Sequence, residues 1–333
     1  MSAEATPELV SGDEADTRLD RWIKRRVQIS QGRLEKLLRE GRIRVDGAKA
    51  TSNQRLAAGQ AVLLPGDLDG LRRPADPPDA ASGVPPADAA FIRSLVIHED
   101  RDLIALNKPP GLAVQGGTKQ GRHIDGMLAA LAEAGGPKPR LVHRLDRDTS
   151  GVLVLAKSAG AAARLGKLFK SRDLGKVYWA VTVGVPNPRA GQLRGWMVKG
   201  AGPGEDREKM RPSAQNEPGA RHAITDYATL SQAGQKAAWV ALRPQTGRTH
   251  QLRFHMQELG SAILGDRKYP TRREVPLGVA SGLHLHARAL ILPRERGRPL
   301  VLQADLPGHM RQTFDTLGFL LEEAGSDPLE PFA

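Results

Sequence analysis

Apolar positions recur every three or four residues near the start of the chain: Leu19, Trp22, Ile23 and Val27 form one stripe, the period of a helix with a single buried face. Ser30 is a good N-cap for a second helix through Arg39, with Leu34, Leu37 and Leu38 facing inward and Gly41 ending it. The period then changes. Ile43-Arg44-Val45 alternates as a strand, Asp46-Gly47 supplies a tight turn, and Ala61-Val62-Leu63-Leu64 closes a small sheet. From residue 92 onward strand patterns dominate. Strands are expected at 94–98, 103–107, 152–156, 176–183, 223–231 and 238–243, and helices at 159–171, 250–258 and 308–324. Strand and helix do not alternate strictly. The expected class is therefore α+β, a mixed, mostly antiparallel sheet with flanking helices, preceded by a small N-terminal α/β unit.

Composition divides the 333 residues further. Residues 1–16 are acidic and polar and read as a disordered tail. Residues 17–65 form the small unit. Residues 66–91, with Pro77-Pro78 and Pro85-Pro86, read as a semi-stiff linker. Residues 92–325 form the large domain. Lys and Arg number 49 against 37 acids, a formal charge of +12, which points to a polyanionic partner, nucleic acid first. The excess is concentrated: residues 17–64 hold 12 Lys/Arg and four acids, or 12 − 4 = +8. Arg33, Lys36, Arg39, Arg42 and Arg44 are the candidate phosphate contacts there. With no cysteine, disulfides and thiolate chemistry are excluded and most zinc ligand sets are removed. No apolar run reaches the ~18 residues of a membrane span, and the first 16 residues lack the apolar core of a signal peptide. A cytoplasmic protein with no membrane partner is expected.

The stretch most suggestive of chemistry is His143-Arg144-Leu145-Asp146-Arg147-Asp148-Thr149-Ser150-Gly151, between the apolar pairs and runs Leu141-Val142 and Val152-Leu153-Val154-Leu155-Ala156. Asp146 lies in a turn entering a buried strand, with arginines on either side, and nearby positive charge favours a carboxylate. Asp-Thr-Ser-Gly superficially matches an aspartic protease loop, but no second such loop is present. Ser150 lacks the Gly-x-Ser-x-Gly elbow of a serine hydrolase. His284 and His286 share a strand face, while His250 and His255 are poorly spaced for a common metal; hydrogen-bonded core histidines are the simpler reading. In Thr246-Gly247-Arg248-Thr249-His250-Gln251-Leu252-Arg253-Phe254-His255 a turn feeds a helix start. Arg248 and Arg253, five apart, allow one arginine to meet RNA phosphate while the other faces a buried carboxylate. Tyr178 sits in the strand-like Lys176-Val177-Tyr178-Trp179-Ala180-Val181, and Lys108 in the rigid Asn107-Lys108-Pro109-Pro110-Gly111.

In this order the four motifs (Asn-Lys-Pro-x-Gly, His-Arg-Leu-Asp-x-x-Thr-Ser-Gly, Lys-x-Tyr-x-Ala and Gly-Arg-Thr-His-Gln-Leu-Arg-x-His) resemble the RluA family of RNA pseudouridine synthases, from about Val96 to Pro307. The helix–helix–hairpin of residues 17–65 resembles the alpha-L RNA-binding domain. Together they are similar to the ribosomal large-subunit synthases of the C or D type; Gln115 stands where the C type commonly has His.

The resemblance implies the pseudouridine synthase fold and a set of roles. Asp146 would be the essential catalyst. Tyr178 would stack on the base and serve as a base in the last proton transfer. Arg253 would form a salt bridge to Asp146, Arg144 would aid base flipping, and Leu252 would pack on the bound base. Arg248, Lys108 and His143 would be further RNA or base contacts. The reaction is an isomerisation, so no metal or other cofactor is expected. The implied partner is large-subunit ribosomal RNA, met by a monomer. A second reading is an rRNA-binding assembly factor on the same fold whose catalysis is dispensable. A hydrolase using Asp146 or Ser150 has no supporting oxyanion or triad pattern.

Overall fold

The computed structural model describes residues 7–11, 14, 17–72, 83–116, 121–133, 136–171, 173–200, 209–294 and 297–332. The chain forms two compact units, Met1–Gly83 and Val84–Ala333.

In the first unit, β1 (Pro7–Leu9) is followed by α1 (Leu19–Arg26), α2 (Gln31–Arg39), β2 (Arg44–Val45), β3 (Ala48–Lys49) and β4 (Ala61–Leu63). Leu19, Trp22, Ile23, Val27 and Leu34 are completely buried, as the helical stripe requires. The Ser30 side chain accepts from the Arg33 backbone N–H and caps α2. The sheet order is β1-β4-β2-β3.

The tail reading for residues 1–16 is corrected here. Pro7–Leu9 pairs antiparallel with Ala61–Leu63, and Val10 joins the core at 2% exposure. Glu8 pairs with Arg26 and Arg72, and Glu14 accepts hydrogen bonds from Arg26 and from the Trp22 indole. Opposite charges on the basic unit hold a segment whose own composition is polar. Residues 1–6, 12, 13, 15 and 16 lie outside the described residues.

The expected linker shrinks at both ends. Gly66–Leu71 is a 3₁₀ turn that buries Leu68, and α3 (Pro86–Ser94) begins on the second proline of Pro85-Pro86, a position where a missing N–H costs nothing. Residues 73–82, with Pro77-Pro78, lie outside the described residues.

The second unit continues with β5 (Val96–Glu99), β6 (Leu103–Lys108), α4 (Ile124–Met127), β7 (Arg140–Leu141), β8 (Ser150–Ala156), α5 (Ala159–Lys170) and β9 (Gly175–Val183). Then come β10 (Ala190–Lys199), β11 (Met210–Ser213), β12 (Arg221–Ala233), β13 (Ala237–Pro244), α6 (Gln251–Glu258), β14 (Leu285–Leu292), β15 (Leu300–Gln303) and α7 (Gly308–Leu317). Among the described residues the strands build one sheet in the order β11-β10-β12-β13-β9-β14-β8-β6-β5, with β15 on β14 and β7 on β8. Every pairing is antiparallel except β8 with β14, which makes the class α+β with a mostly antiparallel sheet. The expected last helix, 308–324, is cut at Gly318, and Leu321–Ala324 resumes as a 3₁₀ turn.

The sheet has two covered faces. Trp179, Val181, Trp239 and Ala241 point toward α7, packing with Met310, Phe314 and Phe319. Tyr178, Ala180, Val240 and Leu242 point the other way, toward Leu252 and Met256 of α6. Alternation along β9 and β13 thus sends Tyr178 to the face that carries α6.

Buried imidazoles tie these layers. His284 Nε2 lies 2.8 Å from Thr313 Oγ1, and His286 Nδ1 lies 2.9 Å from Ser150 Oγ. The hydrogen-bonded core reading of both is correct. Burial pushes His143 down to about 3 and His255, His284 and His286 to about 4, from an ordinary 6.5. Each folded value is depressed, so the unfolded chain binds more protons between the two values. The stability these groups contribute is present above pH 6.5 and is lost as pH falls toward 4. The urea midpoint of the larger unit is expected to fall continuously as pH drops from 6.5 toward 4; a midpoint rising over that range would refute this.

Candidate active site

Asp146 sits in the loop of residues 142–149, between β7 and β8. Three devices fix this loop. First, His143 stacks on Phe169 at 4.0 Å between ring centroids, and its Nε2 accepts the Val154 N–H at 2.8 Å. The imidazole thereby continues the β7–β8 ladder after the backbone has left it. Second, Lys108 is fully buried and its ammonium donates to three carbonyls, Pro109, Leu112 and Arg147, at 2.8–2.9 Å. Burial lowers Lys108 to about 7, against the pull of Asp148 and Asp146; only the ammonium form has three N–H groups for three carbonyls. Arg147 Nε in turn donates to the Gly111 carbonyl at 2.9 Å. Third, Ser150 and Gly151 enter β8 where it runs parallel to β14. Gly151 has φ +111°, and a Cβ there would lie 2.2 Å from the Ala287 carbonyl oxygen; only glycine fits this approach.

The expected RNA contacts at Lys108 and His143 are therefore corrected. Both groups face inward, one saturated by carbonyls and the other stacked and bonded to a strand, and both act by holding the Asp146 loop. Leu145 points into the core while Arg144 is exposed, so the loop presents an arginine to solvent beside the carboxylate.

The second half of the site comes from α6. Gln251 is buried and donates to the Ile224 carbonyl and Thr225 Oγ1, both at 2.9 Å, while its Oε1 accepts from Thr246 Oγ1 and the Arg248 N–H. This fixes the turn before the helix. Arg248 is exposed, its Nε on the His222 carbonyl. Arg253 is buried and faces acids. The sequence expectation that the two arginines diverge is met.

Arg253 was expected to bridge to Asp146. Its Nη1 lies 3.8 Å from Asp146 Oδ2, but its short contacts go to Asp266, from Nε and Nη2 at 2.7 Å each. The bridge is thus a three-body arrangement of one guanidinium between two carboxylates. Burial opposes the Arg253 charge, yet the hydrogen bonds and charge of Asp266 keep it above its ordinary value. His250 also approaches Asp146, with Nε2 3.8 Å from Oδ2. Tyr178 and Leu252 complete the group, both packed in the cluster beneath α6. Burial, and then the charge of Asp146, push the Tyr178 phenol well above its ordinary range. At neutral pH it is a neutral ring with an O–H, which suits stacking.

Sequence reasoning missed His250, Asp266 and Tyr269. His250 reads in the sequence as a hydrogen-bonded histidine poorly spaced for a metal, and Asp266 lies 13 residues beyond its partner in a loop without periodicity. A buried arginine on α6 was the one available signal, since such a charge requires a carboxylate.

A carboxylate one third exposed, with a buried guanidinium and an imidazole each 3.8 Å from it on a mostly antiparallel sheet, suits nucleophilic or general-base chemistry. Residues 102–258 match the RNA pseudouridylate synthase family. The chain is 34% identical over 304 residues to the ribosomal large subunit pseudouridine synthase C of Rickettsia felis, covering 90% of this chain and 96% of that one. It is 31% identical to the mitochondrial RNA pseudouridine synthase 4 of Arabidopsis thaliana, over 92% of this chain and 80% of that protein. The solved human RNA pseudouridylate synthase domain containing 4 superposes with a TM-score of 0.59 at 32% identity, over 70% of this chain and 97% of that one. The chain belongs to the RNA pseudouridylate synthase family, isomerases that convert uridine in RNA to pseudouridine.

Proposed function

We propose that this enzyme isomerises uridines of large-subunit ribosomal RNA, with Asp146 as its catalyst and the first unit as an RNA grip. The observation that carries the chemistry is the placement of Asp146. One third of its side chain is exposed, and both Arg253 Nη1 and His250 Nε2 stand 3.8 Å from its Oδ2. The substrate follows from relatives named as large-subunit enzymes that align over nearly the whole chain, first unit included.

The reaction breaks the N1–C1′ bond, turns the uracil, and joins C5 to C1′. N1 gains a proton and C5 loses one, so no oxidant or energy source enters. The Asp146 carboxylate is competent both to attack C1′ and to remove the 2′ proton. Either route requires the flipped nucleotide to be held closed while the uracil is detached. Tyr178 stacks on the base as a neutral phenol and Leu252 closes its other side. Arg144, exposed on the Asp146 loop, occupies the space the nucleotide leaves in the RNA, and Arg248 meets phosphate at the start of α6. Among the described residues no helix is long and apolar enough to cross a membrane. The working place proposed is the cytoplasm, acting as a monomer on ribosomal RNA; the mitochondrial name of one relative fits an enzyme that follows its ribosome.

The test is release of tritium from RNA labelled at uridine C5, because C5–C1′ bond formation expels that label. Release from large-subunit rRNA or its precursor particles, and none from small-subunit rRNA, is expected. Release from small-subunit rRNA alone would overturn the substrate assignment.

A further inference from the structure

We propose that residues 265–269 are the positioning element of the active site: Asp266 orients Arg253 and the Tyr269 hydroxyl orients His250, so that both address Oδ2 of Asp146 and leave Oδ1 to react. This deepens the catalytic reading of Asp146 and rests on it.

The two carboxylates on Arg253 differ in a way that separates their roles. Asp266 has no exposed side-chain surface and accepts four N–H groups: Arg253 Nε and Nη2 at 2.7 Å, and the backbone N–H of Lys268 and Tyr269 at 2.9 Å. Three of these donors meet Oδ1 and one meets Oδ2. Asp266 is thus buried and engaged on both oxygens, and it holds the guanidinium in one plane with Nη1 turned to Asp146, one third of whose side chain is exposed.

Tyr269 does the same for His250. Its Oη accepts the Met210 N–H at 2.7 Å and lies 3.2 Å from His250 Nδ1. The amide can only donate, so the hydroxyl hydrogen is free to go to Nδ1. With that hydrogen given to Nδ1, the imidazole hydrogen sits on Nε2, the atom facing Asp146 Oδ2 at 3.8 Å. The opposite tautomer would set a lone pair against the carboxylate. Burial, first among the causes, holds His250 below its ordinary value, which keeps the imidazole neutral and makes its tautomer matter. His250 itself adopts a left-handed backbone, φ 52°, as the cap of α6, an uncommon conformation for a residue with a side chain.

The element is anchored independently of the chemistry. Gly265 has φ +75°, and a Cβ there would fall 1.8 Å from the Gly282 carbonyl oxygen. Just before it, Leu264 donates to the Val181 carbonyl and accepts from the His284 N–H. The brace is therefore registered on β9, the strand that carries Tyr178. Its residues act through Arg253 and His250 and are positioning residues.

The experiment uses Tyr269→Phe, which keeps the ring, and His250→Asn, because asparagine tolerates the left-handed backbone. The first readout is the ¹⁵N spectrum of the histidine side chains in the free protein, with the His250 signals assigned by their loss in His250→Asn. Wild type is expected to show His250 with its hydrogen on Nε2, and Tyr269→Phe to lose that preference. This readout needs no substrate, so it stands apart from the rRNA assignment. The second is the single-turnover rate of tritium release, at saturating enzyme, from any uridine RNA the wild type turns over. Each variant is expected to be slower by roughly 10- to 100-fold, with the RNA Kd unchanged. The double variant is expected to be no slower than the slower single one, since both break the same link. An Nδ1–H tautomer in wild type, a tautomer indifferent to Tyr269→Phe, or multiplicative rate losses would overturn the proposal.

Discussion

Replacing Asp146 by asparagine is expected to reduce tritium release from C5-labelled RNA by at least ~10³-fold, because an amide is neither a nucleophile nor a base at neutral pH. RNA binding is expected to persist, and to tighten slightly, since a negative charge is removed from a surface that meets phosphate. The fold is expected to survive as well. Arg253, which loses one carboxylate, keeps its two short hydrogen bonds to Asp266, so no buried guanidinium is left unpaired. The loop that carries residue 146 is fixed through Lys108, His143 and Arg147, none of which bonds to the Asp146 side chain. Single-turnover rates, filter-binding affinities and thermal midpoints check the three parts. Near-normal turnover would remove Asp146 from the chemistry. Lost turnover together with lost binding and a lowered midpoint would make it a structural residue.

The parts of the site legible in the sequence were those whose chemistry shows in residue type and order. The loop with Asp146, the strand with Tyr178 and the helix with Arg253 were each placed in the right kind of element, and the divergence of Arg248 and Arg253 followed from their spacing. Burial was the hidden variable elsewhere. Lys108 and His143 are basic residue types in a basic chain, and the family resemblance sends them to RNA. Three carbonyls around one and a phenylalanine against the other turn them inward. Asp266 and Tyr269 have no sequence signal of their own, because their partners are set by the fold. Among the secondary elements, β10 was missed since Gln192 and Arg194 are exposed on it and two glycines interrupt it. The strand at Pro7–Leu9 is held by pairing with Ala61–Leu63 and by ion pairs to Arg26 and Arg72, contacts that lie far along the chain.

Replacing Arg21, Arg25 and Arg39 together by glutamine is expected to weaken RNA binding in a salt-dependent way while leaving the saturated rate unchanged. The choice of these three comes from the pairing of the others. Of the five cations expected to grip phosphate, Arg33 and Arg42 share Asp67, Lys36 faces Glu40, and Arg44 donates to the Gly41 and Gly47 carbonyls. Arg39 is exposed with no ion pair among the described residues, and Arg21 and Arg25 on α1 are in the same state. An unpaired, exposed guanidinium gives up the least on meeting a phosphate, because no internal partner has to be displaced. Each such contact contributes about 0.7 to the slope of log K against log salt on single strands and about 0.9 on duplex. Three lost contacts therefore flatten the slope by roughly 2 to 3. Between ~50 and ~200 mM salt, wild type is then expected to lose roughly 20- to 40-fold more affinity than the variant. Because the three arginines lie in the first unit and the Asp146 site in the second, the single-turnover rate at saturating enzyme should not change. Equal slopes for the two proteins would take the first unit out of RNA binding. A slower saturated rate would mean that these arginines do more than hold the substrate.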